Sequence, residues 1–265
     1  MGLNIDCSAR LPGLSFVFPM YNELDNIQRC VEWALEVGQT MTDDLEIIVV
    51  DDGSTDGSGV LADALAKRHD EVRVIHHSVN RTLGAAIKTG FANASKAWVL
   101  YVDSDLPIDL GEARRAVPLA LGGADLVIGW RRNRNEGIKR EIMSWVYNRL
   151  IRLVFGLKVI DVNFAFKMVR RDMLRRITLT SEGSFIDAEL LIRARRLGAA
   201  IREMGLEYYP RTAGVSTLAS SAVVLKIVQE MWAFSRGPAI RRVDTPAFEL
   251  GSSAQDYEPA HSPHH

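Results

Sequence analysis

Five short, mostly apolar runs punctuate the first half of the chain, and stretches of helical periodicity separate them. The runs are Leu14–Pro19, Leu45–Val50, Val72–His76, Ala97–Val102 and Asp125–Gly129. Most are too continuously apolar to have a wet face, as in strands of a parallel sheet covered on both sides. The intervening segments Glu23–Val37, Ser58–His69, Leu83–Ala94 and Leu110–Leu121 repeat apolar residues at helical spacing. This alternation predicts an open, doubly wound, Rossmann-like α/β sheet, mostly parallel, with helices on both faces. Ligands of such sheets bind outside the carboxyl ends of the strands, so the residues just after each run are where chemistry is expected.

The second half is less regular. Ile138–Leu157 reads as a basic helix rich in aromatics, Val162–Val169 as a strand, Ile186–Leu197 as a helix and Ala200–Tyr209 as a strand. Ser220–Arg236 reads as a last, amphipathic helix. Neither an internal repeat nor a linker divides the 265 residues, which suit one large domain. The expected organisation is an extension over 1–13, one domain over 14–236, and a polar, disordered tail over 237–265. His261, His264 and His265 belong to that tail and read as a solvated end rather than a metal site.

Three of the strand ends carry carboxylates. The first is followed by Tyr21-Asn22-Glu23, the second by Asp51-Asp52-Gly53-Ser54-Thr55-Asp56-Gly57, and the fourth by Asp103-Ser104-Asp105. Acidic groups aimed into one crevice repel one another unless a cation or hydrogen-bond donors offset them. Two carboxylates one residue apart at a strand exit suit a hard divalent cation, which completes its shell with phosphate oxygens and water. Asp-Gly-Ser is also ordinary turn chemistry, and Asp56 reads as a cap for the next helix. Gly57-Ser-Gly59-Val-Leu-Ala62 fits the dinucleotide pattern G-x-G-x-x-A, but it starts seven residues past Val50 rather than in the tight turn after the strand. A nicotinamide or flavin site is therefore not expected.

Charge adds a division. The formal net charge of −1 argues against a nucleic-acid partner. Residues 1–130, however, hold 10 Lys/Arg against 19 Asp/Glu, and the remainder holds 22 against 14. An acidic half and a basic half on one domain suggest a cation site and an anion site. The two cysteines, Cys7 and Cys30, give no disulfide framework. No run approaches the ~18 apolar residues of a spanning helix and no secretory signal is evident, so a cytoplasmic location is expected, with the membrane face as one option.

Together these residues resemble the inverting glycosyltransferases of family 2, which have the GT-A fold. The spaced set is Pro19-x-Tyr21-Asn22-Glu23, Ile48-Val-Val-Asp51-Asp52-Gly53-Ser54-Thr55-Asp56-Gly57, Asn80-x-x-x-Gly84 and Asp103-Ser104-Asp105. In the second half, Gly129-Trp-Arg131, Asp161 before Phe166, Phe185 with Glu189, Arg193-Ala-Arg195, and Arg211-x-x-Gly214-x-Ser216 are similar to the dolichol- or polyprenyl-phosphate sugar (mannosyl or glucosyl) transferases. The likeness covers roughly residues 14–236.

The resemblance implies that Pro19, Tyr21, Glu23, Val50 and Asp52, with Asp103 and Ser104, hold the nucleotide of a GDP- or UDP-sugar. It implies Mg²⁺ or Mn²⁺ on Asp103 and Asp105, phosphate contacts from Arg131 and Arg211, and a sugar contact from Glu189. The implied reaction is one displacement at the anomeric carbon through an oxocarbenium-like state. A polyprenyl-phosphate acceptor is already anionic and needs no strong base, whereas a hydroxyl acceptor needs a carboxylate such as Asp187 or Glu189. Three positions depart from the family pattern: Pro107 replaces a polar metal ligand, Thr217 replaces a lysine, and Phe164 replaces a glycine.

Eight Lys/Arg lie within residues 131–158, interleaved with Trp145, Tyr147 and Phe155, and read as a surface for anionic headgroups. The last helix reads as docked on the domain core or on a second copy of the chain, with membrane contact as its alternative. The leading expectation is transfer to a polyprenyl phosphate by a peripheral enzyme. The alternatives are a soluble family-2 enzyme acting on a hydroxyl, and a non-catalytic nucleotide-sugar binder, which the intact Asp103/Asp105 pair argues against.

Overall fold

The computed structural model describes residues 9–105, 108–132, 138–208, 229–232 and 234–236, the first three residues of the 138–208 segment as backbone alone. Seven strands, β1 (Leu14–Met20), β2 (Leu45–Asp51), β3 (Val72–His76), β4 (Trp98–Val102), β5 (Leu126–Arg131), β6 (Phe166–Arg170) and β7 (Ile201–Leu206), form one sheet. Their order is β3-β2-β1-β4-β6-β5-β7. Every neighbouring pair runs parallel except those of β6, which is antiparallel to both β4 and β5.

Among the described residues, the α-helices that accompany the strands are α1 (Ile27–Met41), α2 (Ser58–Ala66), α3 (Leu83–Asn93), α4 (Ala116–Leu121), α5 (Ile138–Phe155), α6 (Arg171–Arg175) and α7 (Ile186–Arg196), with a further helical stretch near residue 230. They cover both faces, and strand alternation shows how. Phe16 and Phe18 of β1 and Ile47 and Val49 of β2 enter one apolar layer with Ile27 and Cys30 of α1, Ala62 of α2 and Val117 of α4. Val17, Ile48 and Val50 point the other way, against Ala86 of α3, Ile151 of α5 and Leu190 of α7. With β1 buried at all seven positions, the chain needs no alternation of polarity there, which is why the run reads as continuously apolar. At Gly90 a Cβ would lie 2.2 Å from Val17 Cγ1, so α3 approaches β1 at a distance only glycine permits.

Several boundaries differ from the sequence reading. Helix α1 begins at Ile27 rather than Glu23, because the Glu23 carbonyl accepts from both Asn26 and Ile27 N–H and closes a turn first. The segment expected as one helix over 110–121 is a 3₁₀ turn (Leu110–Arg115) followed by α4. Pro118 lacks an N–H and is tolerated only in a first turn, which α4 provides. Strand β6 starts at Phe166 rather than Val162, and the residues before it turn around the Arg131–Asp161 pair. The five-residue α6 was not expected. Of the last helix, only residues 229–232 and 234–236 are described, and these are helical. Their Phe234 packs on Phe155 and Phe185 at centroid distances of 5.7 and 5.3 Å, so this end docks on the domain. The tail and residues 1–8 lie outside the described residues.

Candidate active site at the strand exits

The exits of β1 and β2 are tied to each other. Asn22 adopts a positive φ of 55°, a conformation asparagine tolerates better than most residues. Its backbone N–H donates to Ser54 Oγ at 2.9 Å, and its Oδ1 accepts from Thr55 N–H at 2.8 Å. Asp56 lies just before Gly57, the N-cap of α2; its carboxylate accepts from the Ser58 N–H and also takes the Leu24 N–H. Burial pushes its carboxyl up, but these hydrogen bonds outweigh it and hold the group below the usual range. Gly53 has φ 76°, and a Cβ there would sit 2.8 Å from Asn80 N, so the β2 exit is pressed against the loop before α3.

Both aspartates at the β2 exit are held from β3. Asp51 accepts from Ser54 N–H and pairs with His76 Nδ1 at 2.8 Å. Asp52 is 3% exposed; its Oδ1 accepts from His77 Nδ1 at 2.6 Å and from Arg81 N–H at 2.9 Å. Tyr21, by contrast, is 48% exposed at the mouth of the β1 exit. Pro19 and Val50 pair across the β1–β2 ladder and form the floor between the two loops.

The β4 exit closes onto β1 and α1. Ser104 Oγ donates to the Pro19 carbonyl at 2.9 Å, and Cys30 Sγ donates to the Ser104 carbonyl at 2.8 Å. The Cys30 thiol is pushed far up, first by burial, then by Asp105 and Glu23, with Asp103 adding and Arg29 opposing. Three carboxylates from two strand exits therefore act on one buried sulfur. Tyr101 donates its hydroxyl to Asp103 Oδ1 at 2.9 Å, and burial followed by Asp103 and Asp187 pushes its phenol far up.

Asp187, at 5% exposure, reaches this group from α7 through Lys167. Lys167 Nζ lies 2.6 Å from Asp187 Oδ1, donates to the Phe164 carbonyl at 2.7 Å and sits 5.8 Å from the Tyr101 ring centre. Burial raises the Asp187 carboxyl, with the Lys167 charge pulling it back. Glu189 is buried and accepts from Thr180 N–H, Thr180 Oγ1, Ser181 N–H and Arg193 Nε. Burial alone would raise it, yet these donors hold it below the usual range. Arg131 pairs with both oxygens of Asp161 through Nε at 2.8 Å and Nη2 at 3.0 Å, between the rings of Phe164 and Tyr208.

The structure thus gathers Pro19, Glu23, Asp103, Ser104 and Asp105 at one exit, with Asp52 one strand over and Asp187 linked through Lys167 and Tyr101. Glu189 faces the 180–181 segment instead. Arg211, Pro107 and Thr217 lie outside the described residues. Sequence reasoning missed Lys167, although a single lysine inside the run VNFAFKMV was a usable signal. It also missed the supporting roles of Cys30 and His77, which act on residues far off in sequence and leave no local pattern, and of Tyr101, which acts on Asp103.

Residues 15–178 match the profile described as Glycosyl transferase family 2. The chain belongs to that family. This family-2 glycosyltransferase is 31% identical over 221 residues to a polyprenol monophosphomannose synthase of Mycolicibacterium smegmatis, covering 78% of this chain and 81% of that protein. It is 30% identical over 228 residues to a dodecaprenyl-phosphate galacturonate synthase of Rhizobium johnstonii, covering 83% of this chain and 66% of that protein. Its fold is shared with the glucosyl-3-phosphoglycerate synthase of Mycobacterium tuberculosis, solved with Mn²⁺, UDP-glucose and phosphoglyceric acid. The TM-score is 0.68 at 23% identity, over 86% of this chain and 81% of that one.

The transferase's donor set fits a divalent cation. Among the described residues no three His, Cys, Asp or Glu side chains form a complete metal cage. A cation shared with a diphosphate needs only one or two protein carboxylates, and Asp103 and Asp105 present hard oxygens of that kind.

Proposed function

We propose that this glycosyltransferase moves a sugar from a nucleoside-diphosphate donor to a polyprenyl phosphate, with inversion and with a divalent cation. The observation that carries the reading is the Asp103-Ser104-Asp105 exit, tied by Ser104 to Pro19 and flanked by Asp52. Tyr21, Pro19, Val50 and Asp52 would then line the nucleoside, with Glu23 beside it. A cation on Asp103 and Asp105 would supply Lewis-acid stabilisation of charge on the departing diphosphate. Tyr101 fixes Asp103 by its hydrogen bond, so one carboxylate meets the donor already oriented.

The engagement of Asp187 and Glu189 supports an acceptor that arrives anionic. A hydroxyl acceptor needs a carboxylate able to take its proton, yet Asp187 is paired with Lys167 and Glu189 is filled by the 180–181 segment and Arg193. Both act here as positioning groups. Arg131, rigidly clamped by Asp161, and Arg211 are assigned to phosphate. The names of the two relatives support a prenyl-phosphate acceptor.

Helix α5 supports contact with the lipid's own surface. Ile142, Trp145, Val146, Leu150 and Leu153 recur at three- and four-residue spacing and are all exposed, Trp145 at 65% and Leu153 at 68%. Exposed Arg149, Arg152 and Lys158 accompany them, while Ile151 packs inward. Among the described residues no helix is long and apolar enough to cross a membrane, so this contact would be peripheral.

The test is a donor screen with radiolabelled nucleotide sugars and undecaprenyl or dolichyl phosphate. Label should enter the lipid phase for at least one donor, and its absence with every donor would overturn the reading. Asp105→Ala should lower turnover by about a thousandfold and remove the metal dependence of nucleotide binding.

A further inference from the structure

We propose that His77 and Thr89 are positioning residues that turn Asp52 into a one-oxygen acceptor, selecting a uridine over a guanosine donor. The inference rests on the reading above that Asp52 lines the nucleoside, and takes its carboxylate to meet the base. It begins with the backbone. Asp52 N–H donates to the Met20 carbonyl at 2.8 Å, and Gly53 is pressed against Asn80, so the aspartate has little freedom to turn. His77 is equally fixed, since its N–H extends the ladder to the Asp51 carbonyl at 2.8 Å.

Strand alternation then sends the two adjacent histidines to opposite faces. His76 turns to Asp63 on α2, whereas His77 turns to Thr89 on α3. The side chains of His77 and Asp52 are 6% and 5% exposed, so their 2.6 Å contact is sheltered from water. A carboxylate only accepts, so the proton of this bond belongs to His77 Nδ1. In the tautomer that carries its one proton there, Nε2 is the acceptor for the Thr89 hydroxyl at 2.9 Å. Thr89 thereby sets the tautomer that Asp52 requires.

Both donors that reach Asp52 among the described residues, His77 Nδ1 and Arg81 N–H, fall on Oδ1. A carboxylate oxygen has two acceptor sites, so Oδ1 is filled and recognition is left to Oδ2. Guanine offers two parallel donors, N1–H and the 2-amino group, spaced for both oxygens of a carboxylate. Uracil offers one, N3–H, between two carbonyls. A single oxygen satisfies uracil and leaves one guanine donor unmatched in a sheltered site, a loss of about tenfold in affinity or more.

The experiment uses the full chain with Mn²⁺ and titration calorimetry against UDP and GDP. Wild type should bind UDP at least about tenfold more tightly than GDP. His77→Ala should bring the two toward parity and raise KM for the UDP-sugar that labels lipid, with kcat at saturating donor little changed. His77→Asn places an amide N–H where Nδ1 stands and should restore the preference. Thr89→Val, which keeps shape and loses the hydroxyl, should weaken it. Equal or tighter GDP binding by wild type would overturn the inference, as would an unmoved UDP/GDP ratio in folded His77→Ala and Thr89→Val. Transfer from a GDP-sugar alone would sink this inference and spare the proposed function. Failure to bind either nucleotide would sink both.

Discussion

Lys167 and Asp187 form a buried ion pair, at 1% and 5% exposure, beside the apolar cluster of Ile87, Tyr101, Ala165 and Ile186. Desolvating both groups costs much of what their attraction returns, so the pair is worth more for orientation than for net stability. Removing one partner is another matter. Lys167→Met strands the Asp187 carboxylate and should cost about 3–5 kcal/mol in urea unfolding, while Lys167→Met with Asp187→Leu should recover most of it. A loss below about 1 kcal/mol for the single variant would mean the carboxylate finds water or another donor. His76 gives a pH signature. Asp63 first, then Asp51, raises its imidazole above the ordinary 6.5. A raised folded value means the stabilisation is fully present below about pH 6.5 and is lost as pH climbs through the folded value. The wild-type stability should therefore fall toward that of His76→Gln as pH rises above about 6.5, as read from urea midpoints. Parallel pH curves for the two proteins would refute the pairing.

At the scale of elements, α5 stands apart because its outward face is apolar. Trp145→Glu with Leu153→Glu should reduce sedimentation with anionic vesicles by about tenfold and slow transfer to long-chain prenyl phosphate. Thermal stability should stay within about 0.5 kcal/mol of wild type, since both side chains are exposed. Vesicle binding that survives the double change would assign lipid contact elsewhere. Elements also show what the sequence makes legible. The strands of the first half were readable to within a residue or two, because in all but β3 burial on both faces leaves a mostly apolar run. The sequence reading starts β6 too early because Val162, Phe164 and Ala165 are buried without being strand: Phe164 packs by Arg131, and the other two enter separate apolar clusters. Helix α6 is too short to show a period. The carboxylates at the exits of β1, β2 and β4 were legible from the rule that ligands lie beyond parallel strand ends. Lys167 and His77 were not, because each acts on a residue that only the folded sheet brings near.

Across the whole molecule, the division of charge along the sequence becomes a division across the sheet. Strands β3-β2-β1-β4 come from the acidic half of the chain, and β6 and β7, flanking β5, come from the basic half. The seam between them is the β4–β6 pair, with Tyr101 and Lys167 in register across it. Reversing β6 brings its starting end, rather than its finishing end, beside the exit of β4. Lying between β4 and β5, β6 also leaves β5 with no earlier strand to pair with, since among the described residues β5 pairs with β6 and β7. As the polypeptide emerges during synthesis, the four strands β1 to β4 find their neighbours at once. The fifth must wait for residues some forty positions downstream, held meanwhile as an unpaired apolar segment. Nascent chains halted before residue 166 should therefore protect the amides of β1 and β2 from hydrogen exchange and leave those of β5 open. Protection of β5 in such chains would contradict this order. The β4–β6 seam that joins the two halves of the sheet is thus also the step at which β5 first gains a strand to pair with.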